Sequence, residues 1–241
     1  MDYIQLPKLK KQKNVFHAFS TKDAGNFGAG LNVTDEIIKK RADWLGQFNI
    51  NIADVIAVQA VGGTDVFVLS QKHQKLPGEF DSIVTNLKSV YFALTVADCL
   101  PIIIFDPKKE VFGLTHAGWR GLDDGIIGKT IDKMVKVYGI SPQDLIVGVG
   151  PYIHKHSYIK DKSFREEILA ELNKFVSDFD EKTVKVDLTS AALAQLESSG
   201  VKRSNIEVSD QDTFSDNYFS HHRAKIKNEP EGRNLAVAGM R

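Results

Sequence analysis

Short apolar runs separated by turn residues dominate the first half of the chain and predict a series of strands. The predicted strands cover residues 15–20, 55–58, 65–69, 90–96, 101–105 and 111–115. One helix interrupts this series, because Thr34 followed by two acidic residues is a helix start signal. We expect this helix to run to about Gln47 and to bury four apolar residues on its inner face: Ile37, Ile38, Trp44 and Leu45.

The second half of the chain is more helical. Apolar residues recur at helical spacing from Asp123 to Tyr138, and Gly139 follows as a stop signal. Further helices are predicted over residues 164–176 and from Asp187 or Thr189 to 199–200, with strands over 145–149, 206–208 and 235–238. No repeat or Pro/Gly/Ser-rich linker divides the sequence. We therefore expect one α/β domain over residues 1–241, with layered mixed sheets flanked by helices.

Composition narrows the class of protein. Lysine plus arginine and aspartate plus glutamate both number 31, so no global field is expected that would recruit nucleic acid or a membrane surface. The lysine cluster over residues 8–13 is interpreted as a solvated loop. One cysteine excludes an intramolecular disulfide, and no signal peptide or membrane-spanning run is evident. A reducing, cytoplasmic location is the simplest expectation.

The candidate chemistry lies in two blocks near the middle of the chain, Ala97-Asp98-Cys99-Leu100-Pro101 and His116-Ala117-Gly118-Trp119-Arg120-Gly121. Two predicted strands and a turn at residues 106–109 separate the blocks, so a hairpin would return His116 to the neighbourhood of Cys99. A thiol beside an imidazole suits nucleophilic or metal chemistry. A lone cysteine after an apolar run is, taken alone, more often a small buried hydrophobe. The polar residues around it favour a site, because they are costly beside strands unless they are paired or line a cleft.

These two blocks resemble the signature of the laccase-domain family, once called multicopper polyphenol oxidoreductases. Weaker similarity extends along nearly the whole chain, through Phe19-Ser20-Thr21-Lys22, Leu31-Asn32, Asp81-Ser82-Ile83-Val84-Thr85, Gly150-Pro151-Tyr152-Ile153 with Tyr158, and Phe219-Ser220-His221-His222-Arg223 with Gly232-Arg233. The resemblance implies a four-layer α/β fold of the cysteine-hydrolase-like type. It also implies purine nucleoside phosphorolysis, adenosine deamination and use of methylthioadenosine, with a purine nucleoside and phosphate as the partners.

The resemblance further implies a zinc ion held by one cysteine and two histidines. Cys99 and His116 match two of these ligands, but the family's Gln-Val-His-Gly segment appears here as Gln59-Ala60-Val61-Gly62-Gly63. The third histidine position therefore falls on Val61 or Gly62. Because catalytic zinc usually has three protein ligands, we expect low zinc occupancy. His154 and His156 are the best substitutes for the third ligand, although we favour their interpretation as exposed loop histidines.

Roles follow for the remaining candidates. Cys99 is expected to act as a metal ligand or base, and His116 as a ligand or general acid–base, because the pKa of an imidazole lies near neutrality. Four residues are the predicted substrate contacts: Lys22, Asn32, Asp98 and Arg120. Arg120 could equally form a structural ion pair with Asp98 or Asp123. Trp119 is expected to pack under the site rather than to stack on a substrate.

Two other functions remain open at this stage. A metal-independent Cys99–His116 hydrolase or amidase, such as one that edits peptidoglycan precursors, would use the same residues. A non-enzymatic or impaired descendant could bind a nucleoside or a partner after losing the third ligand. A copper laccase is not expected, because such sites need many histidines and paired His-x-His motifs, whereas this chain has 7 histidines and one such pair.

Overall fold

The computed structural model describes residues 1–28 and 33–241, with strands and helices alternating along the chain. The strands are β1 (Tyr3–Ile4), β2 (Val15–Ser20), β3 (Val55–Ala57), β4 (Val66–Leu69), β5 (Ser82–Thr85), β6 (Val90–Val96), β7 (Leu100–Asp106), β8 (Val111–Ala117), β9 (Ile146–Val149), β10 (Ile159–Asp161), β11 (Val176–Asp178), β12 (Thr183–Val186), β13 (Ile206–Val208) and β14 (Asn234–Met240). The helices are α1 (Pro7–Lys10), α2 (Asp35–Gly46), α3 (Trp119–Asp123), α4 (Ile126–Tyr138), α5 (Phe164–Glu167), α6 (Ala170–Asn173), α7 (Leu188–Ser198) and α8 (His221–Lys227).

The strands form two large mixed sheets and one small sheet. The five-stranded sheet has the order β1-β2-β14-β6-β3, and the six-stranded sheet has the order β13-β9-β7-β8-β5-β4. Most neighbours are antiparallel, but β3 with β6, β4 with β5 and β13 with β9 are parallel. The small sheet, β10-β12-β11, is antiparallel. The expectation of mixed sheets is therefore confirmed.

Three buried apolar clusters divide the molecule into four layers. Between the two large sheets, Phe92 and Leu94 of β6 share a core with Ile103 of β7 and Phe112 of β8. The outer face of the five-stranded sheet packs on Trp44 and its neighbours in α2. The outer face of the six-stranded sheet packs on α4 and α7 through residues such as Ile127, Met134 and Leu196. The resulting order of helix, sheet, sheet and helix agrees with the four-layer α/β architecture that the family resemblance implies.

All of the predicted strands and three of the predicted helices are observed, with small shifts of their ends. Thr34 caps α2 by accepting a hydrogen bond from Ile37 N, and Asp187 caps α7 in the same way from Ser190 N. The predicted inner face of α2 is wrong in one place. Ile38 is 44 % exposed, and Arg41 is buried in its stead, with its guanidinium donating to Phe27 O.

Two sequence-based predictions are wrong, and one predicted helix is shorter than expected, for physical reasons that only the folded chain shows. Residues 164–176 do not form one helix but two short helices, because Ile168 adopts an extended conformation between them. The helix predicted from Asp123 to Tyr138 is observed as α4 and ends before Gly139 as expected, but it begins at Ile126, after Gly125 in a left-handed conformation with φ +79°. The lysine-rich segment near the N-terminus is a helical turn that buries Leu9 against the six-stranded sheet.

The site is positioned by the central hairpin of the six-stranded sheet. Strands β7 and β8 pair through seven residues, and their open end places Leu100 opposite Ala117 and Pro101 opposite His116. Strand β5 lies on the other side of β8, so its first residues lie beside the end of the hairpin. Among the described residues, no helix has the length and apolar character needed to cross a membrane.

Candidate functional site

Cys99 and His116 lie side by side at the open end of the β7–β8 hairpin, as the predicted hairpin would place them. Gly118, directly after β8, shows how close the two side chains are. A Cβ atom at Gly118 would lie 3.1 Å from Cys99 Sγ and 3.4 Å from His116 Cε1. The glycine therefore leaves room for a thiol and an imidazole in the same corner of the site.

Asp81 fixes the orientation of His116. The Asp81 carboxylate is fully buried, and its Oδ1 lies 2.8 Å from His116 Nδ1. The backbone is held as well, because His116 N donates to Asp81 O at 2.7 Å. With Nδ1 bound to a carboxylate, Nε2 is the nitrogen that faces Cys99 and the site.

Asp81 also shapes the loop that faces Cys99 and His116. Its carboxylate accepts hydrogen bonds from Gly62 N and Gly63 N, both at 2.8 Å, and from Val61 N at 3.3 Å. Burial alone would raise the pKa of the Asp81 carboxyl, but the hydrogen bond and charge of His116 and these N–H groups lower it. The carboxylate therefore stays ionised and joins the loop to the imidazole.

The surroundings of His116 favour its protonated form. Burial alone would lower its pKa, but the electrostatic interaction with Cys99, the hydrogen bonds with Asp81 and Cys99 and the charge of Asp81 raise it to about 10. The protonated imidazole is thus favoured by its position between the Asp81 carboxylate and the Cys99 sulfur. Such a group can donate a proton or stabilise negative charge that develops beside it.

A cavity of about 630 Å³ opens onto this pair. One wall is aromatic, with the Trp119 ring centroid 5.1 Å from that of Phe164. Another part carries the basic side chains of Arg120, Lys160 and Lys225, and three carboxylates also line the cavity, those of Asp98, Asp161 and Glu167. Burial lowers the pKa of Lys160, and the charge of Lys225 lowers it further, so positive charge is crowded here. The cavity has the size and mixed lining of a small-molecule site.

The predicted substrate contacts divide into residues at the cavity and residues away from it. Arg120 lines the cavity and stacks its guanidinium 4.1 Å from the Trp119 ring centroid. Within the described chain, Arg120 forms no salt bridge with Asp98 or Asp123. Lys22 does not line the cavity and instead lies 5.7 Å from the Phe219 ring centroid. Asn32 lies outside the described residues.

Asp98 lines the cavity, but its carboxylate is already engaged by the protein. Oδ1 accepts from Thr213 Oγ1 and Oδ2 from His222 N, both at 2.7 Å. Its backbone oxygen accepts from Ile153 N at 3.0 Å, and its φ of +84° is unusual for a residue other than glycine. Asp98 therefore braces the turn that carries Cys99.

The arrangement does not fit the zinc centre that the family resemblance implies. The loop where the third histidine was expected offers Val61, which is 58 % exposed, and Gly62. Among residues 1–28 and 33–241, no third histidine, cysteine or carboxylate completes a ligand set with Cys99 and His116. His154 and His156 do not substitute, because they converge on Asp212 outside the cavity. Two protein ligands fall short of the usual three.

Asp81 is the functional candidate that sequence reasoning missed. The sequence showed only an aspartate at the entry of an apolar strand, Asp81-Ser82-Ile83-Val84-Thr85. Buried carboxylates at such positions are costly unless they are paired, and this cost was the available signal. Trp119 behaves as expected in part, because it packs against the core beside α4 but also forms a wall of the cavity.

Comparison with known proteins gives consistent similarities. The family model described as multi-copper polyphenol oxidoreductase laccase matches residues 16–241. The chain is 30 % identical over 236 residues to a purine nucleoside phosphorylase from Deinococcus radiodurans, covering 93 % of this chain and 88 % of that protein. It is 28 % identical over 197 residues to the Homo sapiens purine nucleoside phosphorylase LACC1. That match covers 79 % of this chain but only 44 % of LACC1, so the chain aligns with less than half of the human protein.

The fold is also similar to a solved structure. The crystal structure of YlmD from Geobacillus stearothermophilus superposes with a TM-score of 0.84 and 26 % identity. The superposition covers 100 % of this chain and 97 % of YlmD. The layered α/β architecture is therefore shared along the full length of the chain.

Proposed function

Because the chain belongs to the multi-copper polyphenol oxidoreductase laccase family, we propose that it is a purine nucleoside phosphorylase acting in the Cys99–His116 cavity. Relatives at 28–30 % identity carry the name purine nucleoside phosphorylase. The observation that carries the proposal is the position of His116, which is oriented by Asp81, has a raised pKa and opens onto a cavity with basic side chains. The reaction needs both a proton donor and an anion site.

In this reaction a phosphate oxygen forms a bond to C1′ of the ribose while the bond from C1′ to the purine nitrogen breaks. The bonding electron pair goes to the purine, which needs a proton or a hydrogen bond to leave. His116 supplies this donor through Nε2, since Nδ1 is bound to Asp81. The products are ribose 1-phosphate and the free base.

Phosphate is proposed to bind at the basic part of the cavity, near Arg120, Lys160 and Lys225. Their positive charges stabilise the dianion and the transition state, in which phosphate negative charge approaches an oxocarbenium-like ribose. Burial and then the charge of Lys225 lower the pKa of Lys160, and a bound anion would offset the repulsion between the two lysines. The aromatic wall of Trp119 and Phe164 gives an apolar surface for the ring of the nucleoside.

Cys99 is proposed to act together with His116. The interaction with Cys99 and its hydrogen bond raise the pKa of His116, so removal of the Cys99 side chain is expected to lower that pKa and to weaken the donor. No step here passes through a metal ion, since the residues around Cys99 do not complete a zinc site. Adenosine deamination and methylthioadenosine phosphorolysis remain predictions for the same cavity.

The test is to incubate the protein with adenosine, inosine, guanosine and methylthioadenosine, with and without phosphate, and to identify products by mass spectrometry. Phosphate-dependent formation of free base and ribose 1-phosphate by the wild type, and its loss in Cys99→Ala, would support the proposal. The exposed His73→Ala variant is the matched control and should retain the activity. Inosine formed from adenosine without phosphate would reveal deamination. No turnover of any nucleoside would refute the proposal.

One observation favours a second candidate, a metal-independent hydrolase or amidase. Cys99, His116 and Asp81 are ordered as a nucleophile, a base or acid, and an orienting carboxylate. The thiolate would form a thioester with a substrate carbonyl, His116 would protonate the leaving amine, and water would release the acid. Rapid alkylation of Cys99 by iodoacetamide at neutral pH, without nucleoside turnover, would favour this function. An inert thiol and tight nucleoside binding without turnover would indicate an impaired, nucleoside-binding protein.

A further inference from the structure

His154, His156 and Asp212 converge at a position separate from the Cys99–His116 cavity. One ligand atom from each residue lies within 4.8 Å of the others. His156 Nε2 is already 3.2 Å from Asp212 Oδ2. The two histidine rings lie 5.6 Å apart and nearly perpendicular to one another. None of the three residues lines the cavity described above.

The Asp212 carboxylate is held in place by neighbours that leave it able to bind a cation. Oδ1 accepts from Phe214 N at 2.9 Å and from His154 N at 3.2 Å. Oδ2 accepts from Ser157 Oγ at 2.6 Å and faces His156 with its remaining lone pair. In known metal centres, the carboxylate ligands are oriented by hydrogen-bond donors of this kind.

The His154 ring is oriented in a similar way. It lies 4.6 Å from the Tyr152 ring, and it forms a hydrogen bond with the Gln211 backbone. Its Nε2 atom is buried and has no hydrogen-bond partner. A buried, unpartnered imidazole nitrogen is costly, and a metal ion is one partner that would satisfy it. A histidine whose other nitrogen is bound to the backbone matches the usual arrangement of a metal ligand.

We propose that His154, His156 and Asp212 bind a divalent transition-metal ion, with Zn²⁺ as the best match. Two imidazoles and one carboxylate suit zinc, whereas Mg²⁺ and Ca²⁺ prefer oxygen ligands alone. Coordination needs the atoms to draw together from their present separation. His156 can supply that movement, since its side chain is 72 % exposed. Water would complete the coordination sphere.

The position of this site indicates a structural contribution. The metal would join residues 154–156 to residue 212, two segments that also hold Asp98. Ile153 N donates to the Asp98 backbone oxygen, and Thr213 Oγ1 donates to its carboxylate. Because Asp98 precedes Cys99, a bound ion would brace the turn that carries the thiol. The ion itself stays outside the cavity and takes no part in the reaction.

The test uses Cys99→Ala as the background, so that the thiol cannot contribute to metal binding. The protein is treated with a chelator and titrated with Zn²⁺, and bound metal is counted by equilibrium dialysis with elemental analysis. We expect about one equivalent to bind and to raise the melting temperature. Adding His156→Ala should weaken Zn²⁺ binding at least ~10-fold, because loss of a direct ligand should cost no less than loss of a residue that only orients a ligand. Adding His73→Ala, which removes an exposed histidine elsewhere, should change nothing.

Co²⁺ binding to the wild-type chain gives an independent readout. The proposed site has nitrogen and oxygen ligands, so visible d–d absorption should appear without a thiolate charge-transfer band and should disappear in His156→Ala. The proposal is overturned if the Cys99→Ala protein binds no Zn²⁺, or if His156→Ala binds it as tightly as its parent. A cobalt spectrum that has a thiolate band and is unchanged in His156→Ala would also overturn it. Neither result depends on whether the protein is a phosphorylase.

Discussion

His17 should make the stability of this protein fall in mild acid. The side chain lies in β2, is 1 % exposed, and accepts a hydrogen bond from Leu6 N through Nε2 at 2.7 Å. Burial lowers the pKa of His17 from 6.5 to about 4. The neutral ring is therefore the form that fits the folded protein. When the chain unfolds, the ring is exposed to water and regains its ordinary pKa.

The sign and size of the effect follow from proton linkage. Between pH 6.5 and pH 4 the unfolded state binds more protons at this position than the native state, so the free energy of unfolding decreases as the pH falls. The difference between 6.5 and about 4 corresponds to about 3 kcal/mol at 1.36 kcal/mol per pKa unit. By pH 5 about 2 kcal/mol of this is lost. For a protein of ordinary stability this is a large fraction of the total.

The assay is urea unfolding of the wild type and of His17→Gln, each at neutral pH and at pH 5. The glutamine amide oxygen can accept the Leu6 hydrogen bond but does not titrate. We expect the loss of unfolding free energy between the two pH values to be about 2 kcal/mol smaller in His17→Gln. Comparing each protein with itself removes any constant effect of the substitution. Equal losses in the two proteins would refute the reasoning, and His73→Gln, at an exposed position, should behave as the wild type.

Three further substitutions test the site and its support. Gly118→Ala would put a Cβ atom 3.1 Å from Cys99 Sγ, whereas the backbone φ of −81° at this position suits alanine. Activity should therefore fall in a kinetic assay with little change in melting temperature, and unchanged activity would contradict this. Asp81→Asn removes the charge that orients His116. The value of kcat should fall roughly 100-fold or more, and the free energy of unfolding should fall by about 3 kcal/mol. A wild-type kcat would argue against the orienting contact. Gly239→Ala would set a Cβ atom in β14 2.3 Å from Val90 O in the neighbouring strand β6. Chemical denaturation should therefore show about 1–3 kcal/mol of destabilisation. Wild-type stability would show that β14 and β6 can move apart at no cost.

The sequence predicted the hairpin that forms the site because the information was local. Two apolar strands and a turn fix the pairing, and the pairing places Cys99 beside His116. The sequence also showed that the family's third histidine is absent, with Val61 or Gly62 at its position. The loop at Val61 and Gly62 is held by the Asp81 carboxylate through its backbone. That contact joins segments about twenty residues apart and has no local signal.

The helix predicted over residues 164–176 failed for a related reason. Its apolar spacing is helical, but the Asp123 carboxylate accepts hydrogen bonds from Leu169 N at 2.6 Å and from Leu172 N at 3.2 Å. These contacts stabilise a break after the first helical turn, and Ile168 becomes extended. A tertiary contact therefore outweighs local propensity here. The cluster of His154 and His156 with Asp212 depended in the same way on a distant residue, which the sequence alone could not place.

The most direct test of the central claim is the value of kcat/KM for phosphorolysis of inosine by His116→Gln. Glutamine keeps a polar group near Asp81 but cannot carry the proton that the purine needs. The account predicts a loss of at least ~100-fold relative to the wild type, with His73→Gln unaffected. A His116→Gln protein that releases base and forms ribose 1-phosphate at the wild-type rate would contradict the account, because the reaction would then not depend on the imidazole beside Cys99.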